Sequence, residues 1–160
     1  MKNLKKTCLL TFAVVIFAGL ILDLVVKHFI VGIDLTVISG VLSFVYSKNT
    51  GAAWGIFSGG TIALSVVTAL AVVLFLIYAI FSKTNSKLFH ISLGLIVSGA
   101  LGNLFDRVFF GYVRDFIKLD FINFPIFNIA DMLLTFGIIC LFVFYIIEAV
   151  KEFKKKKENR

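Results

Sequence analysis

Four stretches of this chain are long and apolar enough to cross a membrane, and that excludes most folds before any other residue is read. They run over about residues 7–26, 60–82, 88–105 and 127–147. A helix needs about 20 mostly apolar residues to span a hydrocarbon core of roughly 30 Å. No water inside that core satisfies backbone N–H and C=O groups, so a spanning segment is a helix or part of a closed barrel. Continuous rather than alternating apolar runs select helices. Composition agrees: 60% of the residues are hydrophobic and 16% are charged, where soluble domains have about a quarter charged. The expected fold is an all-α membrane protein. Four transmembrane helices form one membrane-embedded domain over residues 1–160, with a small β-rich extracytoplasmic subdomain.

The first run follows Lys2, Lys5 and Lys6, the outline of a secretory signal. No small-x-small cleavage site follows it, so it is expected to remain as the first span. Four spans put both termini on one side. That side carries eleven of the Lys and Arg residues, among them Lys83, Lys87 and the terminal "KEFKKKKENR"; the other carries five, Lys27, Lys48, Arg107, Arg114 and Lys118. The positive-inside rule therefore makes both termini cytoplasmic. The net charge of +7 follows from this topology, and the basic tail suits contact with anionic lipid. It does not indicate nucleic-acid binding, because the basic residues flank spans. Cys8 and Cys140 fall in spans at different depths and are read as small buried residues. His28 and His90 fall on opposite sides of the membrane. No Cys/His cluster has ligand spacing, and no metal or other cofactor is expected.

The extracytoplasmic loops cover about residues 27–59 and 107–124. In the first, "LTVISGVLSFVYS" is β-branched and aromatic with a Gly break, which suits short strands. The turn-rich "NTGAAWGIFSGG" follows. In the second, "RVFFGYVRDFIKLDFINF" interleaves aromatics with charges. Pro125 and Asn128 read as a helix start. Gly94, Ser98 and Gly102 form a small-residue stripe of the kind that packs helices closely in lipid.

All six Asp residues fall at or beyond the outer membrane surface, and all three Glu at the cytoplasmic end. Asp23 and Lys27 share a helix face at the outer end of span one. Asn103, Asp106 and Arg107 share one at the end of span three, and Asn128 and Asp131 one at the start of span four. Three polar clusters at one depth mark a site facing the bundle. No outer Cys is present, and no Ser stands near an identifiable base, so nucleophilic catalysis is weakly supported. Paired carboxylates are well supplied. Two that lie close cannot both ionise; one then activates water while the other donates a proton. Asp131 is held on a helix end, and spacing leaves its partner open among Asp23, Asp106, Asp115 and Asp120. The alternative from another class is a small carboxylate-dependent membrane transporter. Transporters usually carry internal repeats and midplane charge, and neither feature is visible here.

The blocks "NTGAAWGIFSG" (49–59), "SGALGNLFDRVFFGYVRDFI" (98–117) and "FPIFNIAD" (124–131), with the Asp23/Lys27 pair, resemble those of lipoprotein signal peptidase, also called signal peptidase II. The resemblance covers nearly the whole chain, in the family's order. It implies a membrane aspartyl endopeptidase, expected to be a monomer in the bacterial cell membrane. Such an enzyme cuts a prolipoprotein just before a cysteine that already carries diacylglycerol, at the extracytoplasmic face and without a cofactor. The implied catalytic pair is Asp115 and Asp131. Asp23, Lys27, Asn49, Gly51, Asn103, Asp106, Arg107 and Asn128 match positions that bind substrate or support the pair, with Asp106 orienting its neighbours. The first outer loop resembles the family's substrate-cradling sheet. Leu24 stands where Gln is usual, Ser98 where Gly or Ala is common, and Arg114 where Val is usual. On an extended segment Arg114 is expected to point away from Asp115.

Overall fold

A computed structural model describes residues 2–51 and 59–159. Most of the stretch 49–59 that reads as turn-rich therefore lies outside the described residues. The element order is α1 (Lys2–Ile30), β1 (Asp34–Ile38), β2 (Leu42–Asn49), α2 (Thr61–Phe81), α3 (Lys87–Phe110), β3 (Val113–Leu119) and α4 (Ile129–Glu158). The four helices are each long and apolar enough to cross a membrane.

Helix α3 is the middle of the bundle and packs against α1, α2 and α4. Its Phe89, Leu93, Ile96, Val97 and Ala100 form the core with Phe12 and Ile16 of α1, Val72 and Ala79 of α2 and Phe144 of α4. The outward faces of α1, α2 and α4 leave large apolar side chains such as Phe17, Leu74 and Phe142 exposed, as a lipid-facing surface requires. Small residues set the helix spacing. Gly94, Ser98 and Gly102 meet α1 at Val15, Gly19 and Asp23, so the stripe is a helix-packing seam. Gly99 lies off that stripe and faces Ala130 and Leu134 of α4.

The strands form one antiparallel sheet in the order β1–β2–β3. β1 and β2 come from the β-branched loop segment, as expected. β3 is a correction to the reading of residues 107–124 as loop. Gly111 caps α3 at φ 77°, where its N–H donates to the Arg107 carbonyl, and this tight left-handed turn sends the chain back as a strand. Asp115 then pairs opposite Ser47 and Arg114 opposite Lys48. Phe116 and Ile117 donate to the Phe127 carbonyl on the other side. Residues Val113–Ile117 are buried, so Asp115 is held on a buried strand rather than on a mobile loop.

The helices also run past the expected spans. α1 continues to Ile30 and α3 to Phe110, which puts Asp23, Lys27, Asp106 and Arg107 inside helices rather than at their ends. A charge ends an apolar run in the sequence, but paired charges do not end a helix. The basic terminal segment is helical to Glu158.

Candidate active site

The site grows from the start of α4. Asn128 is extended (φ −136°, ψ −177°) and caps the helix. Its Oδ1 accepts from the Asp131 N–H at 2.9 Å, and Asp131 Oδ2 accepts from the Asn128 N–H at 3.1 Å. This reciprocal box satisfies two of the N–H groups that a helix start leaves free. It also fixes the Asp131 carboxylate at the mouth of the bundle.

The same Asn128 reaches across to the sheet. Its Nδ2 donates to Asp115 Oδ1 at 2.6 Å and to Asn103 Oδ1 at 3.1 Å. Asn103 Nδ2 donates to Asp131 Oδ1 at 2.7 Å. Asp115 Oδ2 accepts from Asn49 Nδ2 at 2.9 Å, and Asn49 Oδ1 from the Gly51 N–H at 2.9 Å. Arg107 Nη2 donates to the Gly51 carbonyl at 3.2 Å. Asn128 thus contacts two carboxylates from different elements, Asp115 through its side-chain amide and Asp131 through its backbone N–H, and each has a further amide donor, Asn49 for Asp115 and Asn103 for Asp131. Asp115 is only 2% exposed. Burial, and then the negative charge of Asp131, push its carboxyl from 3.8 up to about 7, against the amides of Asn49 and Asn128 and the Lys27 charge.

Behind this pair lies a buried charge network. Lys27 Nζ sits 2.8 Å from Asp23 Oδ2 and 3.2 Å from Asp106 Oδ2, and donates to Asn103 Oδ1 at 3.1 Å. With Lys27 and Asn128 both donating to its oxygen, the Asn103 amide can present only its N–H to Asp131. Asp23 Oδ1 accepts from the Ala130 N–H at 2.8 Å, which ties α1 to the first turn of α4. Asp106 accepts the Arg114 N–H at 2.9 Å on one oxygen and Arg114 Nε and Nη2 at 3.1 and 2.7 Å on the other.

A cavity of about 580 Å³ opens over the pair. Asn49, Asn103, Arg107, Asp115 and Asp131 line its polar part, and Phe124, Phe127, Met132, Leu134 and Phe136 its apolar wall. The structure therefore divides the ten expected residues. Five of them line the cavity, and Gly51 holds Arg107 and Asn49. Asn128, Asp23, Lys27 and Asp106 are completely buried and reach substrate only through other side chains. Arg114 does point away from Asp115, but into Asp106, a contact that no local spacing signals. Sequence reasoning also missed Thr61. Its hydroxyl lies 3.0 Å from the Thr50 carbonyl and 3.2 Å from that of Gly111, joining the start of α2 to the ends of β2 and α3. Chemically, two carboxylates held by one asparagine in a partly apolar cavity suit general acid–base work on water and a carbonyl.

Residues 15–147 match the family model described as signal peptidase (SPase) II. The lipoprotein signal peptidase of Clostridium tetani is 44% identical over 150 residues, covering 89% of this chain and 96% of that protein. That of Lactobacillus johnsonii is 40% identical over 144 residues, covering 90% and 94%. A bacterial membrane enzyme solved by the in meso method at 2.3 Å resolution superposes with a TM-score of 0.80 at 34% identity, covering 92% of each chain.

Proposed function

The chain belongs to the signal peptidase II family, and from that premise we propose that it is an aspartyl endopeptidase whose reacting groups are Asp115 and Asp131. Membership makes it a multi-pass membrane peptidase that removes signal peptides from prolipoproteins. The proposal adds the mechanism and the bond. Water is activated by whichever carboxylate of the pair is ionised. The protonated partner donates to the scissile carbonyl; on collapse the carboxyl that took the water proton gives it to the leaving amine, and the other carboxylate takes its proton back from the hydroxyl. The pair holds one proton between two groups, so the roles belong to the pair rather than to either residue.

One observation carries this reading: one buried residue, Asn128, contacts both carboxylates, Asp115 through its side-chain amide and Asp131 through its backbone N–H, at the floor of a cavity with an apolar wall. Arg107, held by Gly51 at the cavity edge, is positioned to orient the substrate backbone. The apolar wall suits the lipid next to the cut, which lies just before the diacylglyceryl-modified cysteine. Loop charge puts both termini in the cytoplasm and the site at the extracytoplasmic face. The test is cleavage of a diacylglyceryl-modified precursor in detergent. Asp115→Asn and Asp131→Asn should each abolish it while the protein stays folded, and turnover near the wild-type rate in either variant removes the dyad.

A further inference from the structure

The side chain of Arg114 is 9% exposed, one residue before Asp115, in a chain that spans a membrane. A buried charge is costly unless it is paired and hydrogen-bonded. Arg114 is both. Two of its nitrogens bond Asp106 Oδ1, its backbone N–H bonds Oδ2, and its guanidinium lies 4.4 Å from the Phe110 ring centre. Asp106 also shares Lys27 with Asp23. The buried set therefore holds two anions, Asp23 and Asp106, and two cations, Lys27 and Arg114. Without the Arg114 side chain, one ammonium would face two buried carboxylates.

From this balance we propose that Arg114 is a positioning residue for the peptidase reaction: it occupies Asp106 so that Lys27 stays on Asn103, which holds Asp131, and it keeps the network neutral beside the Asp115–Asp131 pair. The route is continuous. Arg114 bonds Asp106, Asp106 contacts Lys27, Lys27 bonds the Asn103 oxygen, and the Asn103 amide bonds Asp131. Asp106 Oδ2 also accepts the backbone N–H of Arg114 and so fixes the strand one residue before Asp115. Charged and titratable groups surround the network and the pair: Asp23 and Lys27 on α1, Tyr46 and Lys48 on β2, and Asp106 and Arg107 on α3. Tyr112 lies between α3 and β3, and Arg114 on β3. Tyr46 and Tyr112 bond each other and Lys48 lies over the Tyr112 ring, and Tyr46 lies near enough to feel the charges of Arg114 and Asp106. Arg114 is the second cation on Asp106, and with it Lys27 does not have to balance both Asp23 and Asp106 alone.

This inference rests on the dyad reading, and its test separates the two. The pH dependence of kcat for a diacylglyceryl-modified precursor in detergent is measured for wild type, Arg114→Leu, Asp106→Asn and the double variant. Removing the cation leaves a net negative charge, so the alkaline limb for Arg114→Leu should move up by about half a pH unit or more. Asp106→Asn leaves a net positive charge and should move the limb down. The double variant should return it to the wild-type position. Arg114→Leu should also lose about tenfold or more in kcat with little change in KM, since the pair is misplaced rather than the substrate. Arg114→Lys keeps the charge without the planar fork; it should hold the wild-type limb at reduced kcat, and it serves if Arg114→Leu does not fold. An unshifted limb in both single variants, or a shift of one sign in both, overturns the proposal. If Asp115→Asn or Asp131→Asn retains turnover, the dyad reading itself falls instead.

Discussion

Replacing Gly99 with alanine adds one carbon, and the structure says where it goes. A Cβ built there collides with the Ala130 carbonyl oxygen and lies 3.0 Å from the Leu134 backbone N and 2.9 Å from Leu134 Cγ. The first two are backbone atoms of α4, so no side-chain rotation relieves them. Restoring ordinary van der Waals separation requires α3 and α4 to part by about 1 Å at this level. Overpacking of this kind costs about 1–3 kcal/mol. Ala130 is also the residue before Asp131, and its N–H is held by Asp23. The displacement is therefore applied where the carboxylate is fixed. A misplacement of about 1 Å in reacting groups can cost on the order of a hundredfold in rate. The control is Gly94→Ala, where a Cβ meets Val15 Cβ at 2.9 Å and the Phe12 carbonyl at 3.2 Å, on the α1 side and away from the pair. Both variants should unfold at lower temperature in detergent. Only Gly99→Ala should lose kcat on a diacylglyceryl-modified precursor far beyond its loss of stability. A Gly99→Ala enzyme with wild-type kcat would refute the claim that this contact sets the position of Asp131.

Further outcomes follow from the buried charges. The Asp115 carboxyl titrates near 7 when folded and near 3.8 otherwise, so between these values the folded state binds more protons and its stability falls as pH rises. Asp115→Asn removes that penalty: its advantage in melting temperature over wild type should grow from pH 4 to 7 and level off above, and a pH-independent difference would contradict the raised carboxyl. The wild-type pair should correspondingly lose turnover above about pH 7, read from a pH–kcat profile. Lys27→Met leaves Asp23 and Asp106 facing each other with one cation fewer and should cost about 3–5 kcal/mol, measured by thermal or chemical unfolding in detergent. Asn128→Ala removes a helix cap worth about 1 kcal/mol and the side-chain amide contacts to Asp115 and Asn103; its kcat should fall much further than its melting temperature suggests.

What could be read from the sequence was what depends on near neighbours along the chain. Continuous apolar runs announced four helices, and Asp23 with Lys27 announced an ion pair one turn apart, found at 2.8 Å. Asn128 before Asp131 announced a helix start. What was hidden depends on pairing between distant segments. Asp115 meets Asn49 across 66 residues only because β2 and β3 pair in a register that leaves Ser47 opposite Asp115, and no period in "RVFFGYVRDFIKLDF" encodes that register. The same holds for small residues on α3. Gly94, Ser98 and Gly102 form a visible stripe and pack on α1, whereas Gly99 is one position off it and admits α4. Only knowledge of which helix lies on which side gives Gly99 meaning. Arg114 is the sharpest case. Polar charge in an extracytoplasmic segment ordinarily means solvent, and eight residues separate it from Asp106. The reversal at Gly111 folds those residues back so that the guanidinium is buried against the carboxylate. A charge that looks like surface in the sequence becomes, through one left-handed glycine, the counterion of the network on which the reacting pair rests.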